Sequence, residues 1–542
     1  MNHISRIISI ATAVAACLLT ACTQDLGNYE YEEKAVVTID LVDQISVLAN
    51  AEYIDVDPVI TSSLEGVISA DNPNFDYSFR YKNSDGDWVE LDTLHTQRVH
   101  ALAKMSIGQY PCWYAVTDRR TGVRYSAVVN VNVGVSTSEG WMLLCDQPGD
   151  HTVRLDMLAQ ISMDRIMPVY DINLYSQIAP LHHATQIATF FNRRGTINDK
   201  IMLLSEEESY ILDNTYLTIN SAYGIKNSLF VMAPADHIVS FAGVPYASDI
   251  NHQALLAVSK EGNAFVWNPN DVGGGAFEDP VNTSHRGDAP EYRVAPWIGV
   301  STMRGKGLGG YGVALLYDID NHRFVGWDGS RGSSEYQTLA PIPDSGDQMF
   351  SYSTGSMELL AMANTGFSNG TTYCIMQDGK QRHIYGINVA DRTFSQQACW
   401  RDVQTPGFAD ATVFCAHSQY QTLYYGTRNK VYAYNPATGY CAAAITLPEG
   451  EEVSCIKFCT YDNPGIELLT GGLPAAQAEE FTARQYELVV ASYDTTATDG
   501  NGGHLRFYQS TSPGTQMTLK PGWDYSGFGR IKDIAYKEVR RH

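Results

Sequence analysis

Apolar and polar residues alternate in short runs along most of the chain, and residues typical of turns separate the runs. In the first third of the chain such runs cover 35–41, 77–81, 110–118 and 125–133. Alternation with a period of two residues is typical of strands that bury one face. About 100 residues with this pattern fit an immunoglobulin-like sandwich. We therefore predict a β-sandwich over residues 35–135.

From residue 136 onward, a unit of two short apolar strands joined by a turn recurs seven times, about 58 residues apart on average. The turns carry sequences such as Lys-Glu-Gly-Asn and Asp-Gly-Lys, which suit tight hairpins. The seven units begin at Trp141, Lys200, Ala254, Val313, Thr372, Thr422 and Glu487. Repetition with this period indicates a repeat architecture built from one kind of small sheet.

Every unit except the first has a further apolar strand upstream of its pair. These upstream strands are 185–190, 238–241, 297–300, 357–361, 412–415 and 453–458. The strand that the first unit lacks is present at the other end of the chain, at 530–536. A ring of sheets leaves no free edge when one sheet is completed by both ends of the chain. We therefore predict an all-β protein in which residues 136–542 form a seven-bladed β-propeller closed by the C-terminal strand. A long sandwich or a β-solenoid is the alternative, although a solenoid would show a shorter and stricter period.

The first 21 residues have the features of a secretory signal peptide. Arg6 supplies the positive charge, and the mostly apolar run 7–19 is short for a membrane span. The sequence Leu-Thr-Ala-Cys that ends at Cys22 is similar to the bacterial lipobox, in which the cysteine is acylated and becomes the new N-terminus. We predict lipidation of Cys22, and two or three acyl chains would anchor the protein firmly at the outer membrane. An ordinary signal peptide followed by a chance cysteine is the alternative. Residues 22–34 are polar and acidic, which predicts a tether.

Charge and cysteine content limit the possible partners. The chain has 37 Lys and Arg against 60 Asp and Glu, a formal net charge of −23. Nucleic acid is excluded as the main partner, because phosphate contacts need clustered Lys and Arg. Among the ten cysteines, Cys455 and Cys459 are four residues apart, but no His or second Cys pair completes a metal-binding spacing. We predict no cofactor, and whether the eight cysteines after Cys22 form disulfides is left open.

Motifs of known catalytic chemistry are missing from the sequence, including nucleophile elbows, phosphate-binding loops and His-Glu-x-x-His. The segment 494–503 is rich in Asp and Gly, which suits either a calcium site or a flexible hairpin turn. His182 precedes an innermost strand and should lie near the mouth of the channel. Tyr and Trp offer flat apolar faces with a polar group, which suits sugars and peptides. Six of them are placed by the pattern in loops that enter innermost strands, namely Tyr175, Tyr292, Trp297, Trp400, Trp523 and Tyr525. Together with His182, these six are the candidate ligand-binding residues.

Three short motifs make the N-terminal 145 residues similar to the PKD-like family of lipoproteins. They are Gly27-Asn-Tyr-Glu-Tyr31 after Cys22, Gly108-Gln-Tyr110 with Val116-Thr-Asp-Arg-Arg-Thr-Gly122, and Glu139-Gly-Trp-Met-Leu-Leu144. The resemblance implies a lipoprotein on the outside of the outer membrane, encoded with a starch-utilisation-type uptake system. It also implies two partners, a TonB-dependent transporter and the lipoprotein partner of that transporter. The family has no agreed catalytic residues, so the resemblance assigns none here.

Three functions remain open on sequence grounds. The first is a non-catalytic surface module that binds a glycan or peptide nutrient or docks on the transporter. The second is a propeller enzyme, either a glycoside hydrolase, a lyase or a peptidase, that acts on an extracellular polymer. The third is an adhesin or scaffold that uses the sandwich. The missing catalytic motifs favour the first, although enzymes with this fold often carry none.

Overall fold

A computed structural model describes residues 34–92, 94, 96–162, 165–190, 200–246, 249–267, 276–285, 287–302, 313–329, 338–417, 420–459, 475–484, 486–510 and 516–538. The predicted signal peptide, Cys22 and almost all of the predicted tether lie outside these residues. The chain divides into two compact units between Val133 and Gly134.

The described residues of the N-terminal unit form ten strands. They are β1 Val37–Asp40, β2 Gln44–Leu48, β3 Tyr53–Val56, β4 Val59–Ser62, β5 Gly66–Val67, β6 Phe75–Lys82, β7 Trp88–Asp92, β8 Val99–Leu102, β9 Gly108–Asp118 and β10 Arg124–Gly134. Five of them form one sheet in the order β2-β10-β9-β6-β7, in which β10, β9, β6 and β7 pair antiparallel, and β1-β4-β5 and β3-β8 form smaller sheets. Alternate residues of β6 and β9, such as Phe79 and Tyr114, are buried in one apolar core, as the period of two residues predicted. The predicted sandwich is confirmed.

In the C-terminal unit, the described residues form seven antiparallel sheets that follow one another along the chain. The first sheet contains β11 Gly140–Asp146, β12 Val153–Ser162 and β13 Arg165–Val169. The second contains β14 Ala184–Phe190, β15 Lys200–Ser205, β16 Tyr210–Leu212 and β17 Ile219–Gly224. Helix α1 Ile225–Leu229 follows, and the third sheet contains β18 Ile238–Tyr246, β19 Asp249–Ser259 and β20 Ala264–Trp267. The fourth and fifth contain β21 Val313–Asp318, β22 Arg323–Asp328 and β23 Ala340–Pro341, then β24 Glu358–Thr365, β25 Thr371–Asp378, β26 Gln381–Asn388 and β27 Gln396–Trp400. The sixth sheet contains β28 Val413–Ala416, β29 Leu423–Thr427, β30 Lys430–Asn435 and β31 Tyr440–Thr446. The seventh contains β32 Glu451–Phe458, β33 Leu488–Asp494, β34 Gly503–Ser510 and β35 Met517–Phe528, and helix α2 Ala475–Arg484 lies between β32 and β33 in the chain. The last strand is β36 Ile531–Lys537.

The last strand, β36, belongs to the first sheet rather than to the seventh. It pairs antiparallel with β11, with Trp141 opposite Tyr536 and Leu143 opposite Ile534. The C-terminus therefore supplies the strand that the first blade lacks, and the predicted closed seven-bladed propeller is confirmed. In the fourth blade, the predicted inner strand 297–300 contributes a single bridge between Gly299 and Leu315.

Among the residues that the structure describes, seven separate apolar clusters fill the seven junctions between neighbouring blades. The cluster between the seventh and first blades contains Trp141, Phe507 and Ile534. Because each blade buries both faces against its neighbours, its middle strands are almost continuously apolar and buried. For example, β11 is buried from Gly140 to Cys145.

Polar side chains on the innermost strands also join neighbouring blades. Gln186 of the second blade binds both the backbone N–H and the carbonyl of Phe241 in the third, at 2.7 and 3.0 Å. Asp533 of β36 accepts the backbone N–H of Ile187 at 3.0 Å and pairs with Lys457 of the seventh blade at 2.7 Å. In the described part of the chain, strands pair within each blade and not between the innermost strands of different blades, so these side chains supply polar links across the junctions.

Candidate functional site

One face of the propeller is formed by two kinds of segment that meet at the same end of each blade. The first kind leads into the innermost strand of a blade, and the second is the turn between the second and third strands. In an antiparallel sheet these two segments lie side by side. The backbone of Lys260 donates to the carbonyl of His237 at 2.8 Å, and that of Ile319 to Arg293 at 2.9 Å. We call this surface the loop face.

The loop face has a repeated ion-paired contact in the second, third and fourth blades. In each of these blades a basic residue entering the innermost strand donates both its backbone N–H and its side chain to one carboxylate of the turn. The three pairs, which we call the entry pairs, are His182 with Glu207, His237 with Glu261, and Arg293 with Asp320. The repeat shows that these side chains fix the loops where innermost strands begin.

The distances within the entry pairs are short. The backbone nitrogen of His237 lies 2.8 Å from Glu261 Oε2, and its Nδ1 lies 2.8 Å from Oε1. Arg293 approaches Asp320 at 2.7 Å through both its backbone nitrogen and Nη2. The hydrogen bond from Arg293 lowers the pKa of Asp320, and burial opposes this shift. Burial also raises the pKa of Glu261, but the hydrogen bonds from His237 outweigh it and the net shift is downward.

His182, a predicted ligand-binding residue, is one member of these entry pairs. Its backbone nitrogen lies 3.0 Å and its Nδ1 3.2 Å from the carboxylate of Glu207. Next to it, His183 stacks on His151 with ring centroids 4.6 Å apart, and both residues have a left-handed backbone. The structure therefore gives His182 a role in fixing the loop, whatever else it contacts.

Three of the six predicted aromatic residues are largely engaged in packing. Tyr292 is 6 % exposed, and its hydroxyl donates to the carbonyl of Leu339. Tyr175 donates its hydroxyl to the carbonyl of Val153, and burial raises its pKa to about 12. Trp400 was predicted to lie in a loop, and that placement is wrong, because it is the last residue of β27, the outermost strand of the fifth blade. It packs into the junction between the fifth and sixth blades.

Trp523 and Tyr525 do not lie in a loop, and that part of the prediction is wrong. Both belong to β35, the outermost strand of the seventh blade. Lys520 Nζ lies 3.9 Å from the centre of the Trp523 ring, and the guanidinium carbon of Arg484 lies 4.9 Å from it. Trp141 packs edge-on against the same ring. Cations and aromatic neighbours thus already occupy much of the Trp523 surface.

Trp297 is the most exposed of the six aromatic residues, at 39 %. It lies four residues after Arg293 and directly before the buried Ile298, which belongs to the inner segment of the fourth blade. The entry pair of Arg293 and Asp320 holds the backbone on its N-terminal side. Trp297 is therefore an exposed indole on a loop that the fold keeps in place.

Metal and thiol chemistry have little support in the described part of the chain. Within it, no group of three or more His, Cys, Asp or Glu side chains is arranged to hold a metal ion. In the segment 494–503, Asp494 accepts hydrogen bonds from Thr496, and Asp499 accepts one from Asn501, as in ordinary turns. The eight described cysteines are unbridged. Burial raises the pKa of the Cys459 thiol to about 12, so this thiol is unreactive near neutral pH.

The entry pairs and the polar side chains between blades were missed by the sequence reasoning. A usable signal exists for the entry pairs, because each acidic residue follows its basic partner by 24, 25 or 27 residues. For the junctions, the signal is a polar residue inside an apolar innermost strand, such as Gln186.

Comparison with known protein families supports the N-terminal part of the fold. Residues 22–179 match the model of the PKD-like family. The N-terminal unit is thus a PKD-like domain, and the match continues past Gly134 into the first blade. No curated protein sequence is similar to this chain.

Among solved structures, this chain is similar to a quinoprotein alcohol dehydrogenase-like protein from Bacteroides thetaiotaomicron, with 10 % identity and a TM-score of 0.39 over 90 % of this chain and 96 % of that one. It is also similar to apo AztD from Citrobacter koseri, with 12 % identity and a TM-score of 0.34 over 85 % and 98 % of the two chains. A third is the extracellular domain of a putative one component system from B. thetaiotaomicron, with 11 % identity and a TM-score of 0.34 over 67 % and 36 %. These are likenesses of fold alone.

No helix within the described ranges is both long enough and apolar enough to cross a bilayer.

Proposed function

We propose that this protein is a lipoprotein anchored through Cys22 on the outside of the outer membrane. There it serves a TonB-dependent uptake system as a non-catalytic accessory, which binds a glycan or peptide nutrient or docks on the transporter. The signal-like residues 1–21, the sequence Leu-Thr-Ala-Cys and the acidic residues 22–34 support the location. The match of residues 22–179 to the PKD-like family is compatible with it.

The observation that carries binding rather than cleavage is the state of the acids on the loop face. Glu261 and Asp320 each accept a backbone N–H and pair with a basic side chain of the same blade. Their lowered pKa keeps them ionised near neutral pH, whereas a general acid needs a pKa near the working pH. These two carboxylates therefore suit loop fixation better than the role of a general acid.

Trp297 gives the loop face an exposed aromatic surface for a ligand. An indole on a fixed loop loses little conformational entropy on binding and stacks on the apolar face of a sugar ring or on a peptide side chain. The neighbouring charges are already paired, so binding at Trp297 should depend little on salt.

The binding claim is tested by screening neutral glycans and peptides against the full chain by affinity electrophoresis and calorimetry. We expect a ligand whose affinity falls about tenfold in Trp297→Ala, which corresponds to about 1.4 kcal/mol. Tyr440, which is 50 % exposed on the outermost strand of the sixth blade, provides the control Tyr440→Ala and should bind normally. Equal binding by wild type and Trp297→Ala would remove this site from the proposal. Product formation that stops in Glu207→Gln or His182→Ala would show that the protein is an enzyme.

The location claim is tested separately with Cys22→Ser. Cell fractionation should move the variant from the membrane to the soluble fraction, and protease treatment of intact cells should degrade the wild type. Membrane association that persists in Cys22→Ser would contradict the anchor. Co-purification of the wild type with a TonB-dependent transporter would support docking.

A further inference from the structure

The outward face of the five-stranded sheet in the PKD-like domain has two tryptophans that the core does not cover. Trp88 on β7 is 44 % exposed, and Trp113 on β9 is half-buried. Their rings lie 5.0 Å apart and are nearly perpendicular. Val128, opposite Trp113 on β10, is 45 % exposed. We call this surface the sandwich face.

Arg80 lies on the same face, because it is opposite Trp113 in the pairing of β6 with β9. Its guanidinium carbon lies 4.2 Å from the centre of the Trp88 ring, and Lys82 Nζ lies 5.2 Å from it. A guanidinium that stacks on an aromatic ring uses its flat face and leaves the N–H groups at its edge free to bind an acceptor. Within the described residues, the buried Arg80 Nε has no hydrogen-bond acceptor. The side chain is thus held in place with its donors unused.

A second guanidinium reaches the same area from β10. Arg124 Nη2 donates to Ser78 Oγ at 3.1 Å, and Ser78 is two residues from Arg80 on β6. Burial and the nearby charge of Arg80 lower the pKa of Arg124, while Glu90 opposes the shift. In the described part of the domain, neither arginine is in an ion pair. Two like charges are therefore held close together. The carboxylate of Glu90, which is opposite Arg80 in the pairing of β6 with β7, lies beside them but is in an ion pair with neither.

The other three arginines of this domain are all paired with carboxylates. Arg98 lies 3.4 Å from Asp55, Arg119 lies 2.5 Å from Asp76, and Arg120 lies 3.0 Å from Asp118. Unpaired arginines are thus a local property of the sandwich face, although the chain as a whole has a net charge of −23. Such a basic patch on an acidic protein is complementary to an anion that comes from outside.

We propose that the sandwich face binds an acidic saccharide that carries carboxylates on its sugar rings. Arg80 and Arg124 would bind the carboxylate, since the guanidinium fork matches a carboxylate in two hydrogen bonds. Trp88 and Trp113 would contact the apolar face of an adjacent sugar ring.

The shape of the surface favours a saccharide over a peptide. Extended peptides add to the edge of a sheet and helical ones enter grooves, whereas this surface is the outer face of a sheet. Flat sugar rings can lie on such a face beside the small residues Ser78 and Ser126, which lie near the aromatic pair in register. The proposal does not depend on the loop face, because it uses residues of the N-terminal domain alone.

The test is calorimetric titration of the full chain with oligogalacturonate, a polymer of uronic acid rings. We expect binding that weakens as sodium chloride is added, because screening reduces the attraction between charges. Methyl-esterified oligogalacturonate lacks the charge and should bind at least about tenfold more weakly. Arg80→Gln should also weaken binding at least about tenfold, because it removes a charged hydrogen bond. Arg98→Gln, which changes an arginine paired with Asp55, is the matched control and should bind as the wild type does.

Two further measurements keep the proposal open to refutation. Arg80→Lys keeps the charge but loses the fork, so it should show an intermediate loss, and thermal unfolding of both variants checks that they are folded. Wild-type affinity in Arg80→Gln, or no binding of oligogalacturonate, would overturn the proposal. Polyglutamate that binds as tightly as oligogalacturonate would overturn the saccharide assignment. Trp297→Ala should leave oligogalacturonate binding unchanged. Failure of the binding proposed for the loop face can therefore be told apart from failure of the binding proposed for the sandwich face.

Discussion

The loop face of the propeller and the sandwich face of the PKD-like domain both combine basic side chains with an exposed tryptophan. Trp297 is 39 % exposed on the first, and Trp88 is 44 % exposed on the second. On the loop face, His237 and Arg293 bind carboxylates of their own blades. On the sandwich face, in the part of the domain that is described, Arg80 stacks on Trp88 and has no carboxylate partner.

The difference follows from what each surface must do for the fold. An innermost strand of a propeller has no hydrogen-bonded neighbour on its channel side, so the loop that starts it must be held by side chains. The outward face of an antiparallel sheet has its backbone satisfied by the ladder, and its side chains need not hold anything. On these two surfaces we therefore expect the paired charges to serve the fold and the unpaired charges to be available for binding.

The largest expected effect comes from removing residues 529–542, which include β36. This deletion removes Ile531 and Ile534, both fully buried, and exposes the edge of β11. Each buried isoleucine contributes about 1.5–3 kcal/mol. We expect the cooperative unfolding transition of the propeller to be lost in scanning calorimetry, while the transition of the PKD-like domain persists.

Removal of residues 539–542 alone is the matched control for this deletion, because it leaves β36 intact. That variant should unfold as the full chain does. If the larger deletion also unfolds like the full chain, then β36 does not close the ring and the propeller does not depend on its C-terminus.

An effect of intermediate size is expected from His417, which is 3 % exposed in the sixth blade. Burial lowers its pKa to about 4, from about 6.5 in an unfolded chain. Below pH 6.5 the unfolded state therefore binds a proton that the folded state does not, and stability falls as the pH falls towards 4. At pH 5 the loss is about 2 kcal/mol.

The measurement for His417 is urea unfolding at pH 7 and pH 5. His417→Asn keeps an acceptor for the backbone N–H of Tyr420 and should remove about 2 kcal/mol of the difference between the two pH values. This smaller difference between the two pH values should appear only in the unfolding transition of the propeller. A variant as sensitive to pH as the wild type would show that His417 is not the group that titrates.

The repeat of the blades could be predicted from the sequence because it rests on local signals. Alternating apolar strands, turn residues and the unmatched strand at 530–536 were enough to find the closed ring. Trp523 and Tyr525 were misplaced because Pro521 and Gly522 resemble a loop. In the structure these residues form a bulge inside β35, where the pairing with β34 shifts between Arg506 and Tyr508. Gly522 has a φ of +77°, which a bulge tolerates and a regular strand does not.

The candidate sites were harder to predict because they depend on contacts between distant residues. Alternation alone places Arg80 and Trp113 on the outer sides of their strands, but it does not show that they are opposite each other. In the same way, Glu261 and His237 are 24 residues apart, and only the end of the third blade brings them together. Pairing register and blade geometry are properties of the whole sheet, so a single sequence does not reveal them.

The smallest expected effect is the one that separates the two surfaces most directly. Glu261→Gln removes the charge that pairs with His237 but keeps an oxygen that can accept its backbone N–H. Because both side chains are 39 % exposed, the propeller should lose no more than about 1 kcal/mol of stability, measured by urea unfolding. Binding of oligogalacturonate should not change. Arg80→Gln should have the opposite effects. It should weaken the binding of oligogalacturonate and leave the free energy of unfolding within about 0.5 kcal/mol of the wild type. If Glu261→Gln weakens the binding of oligogalacturonate without lowering the free energy of unfolding, then the paired charges of the loop face act in recognition. The distinction between the two surfaces would then be wrong.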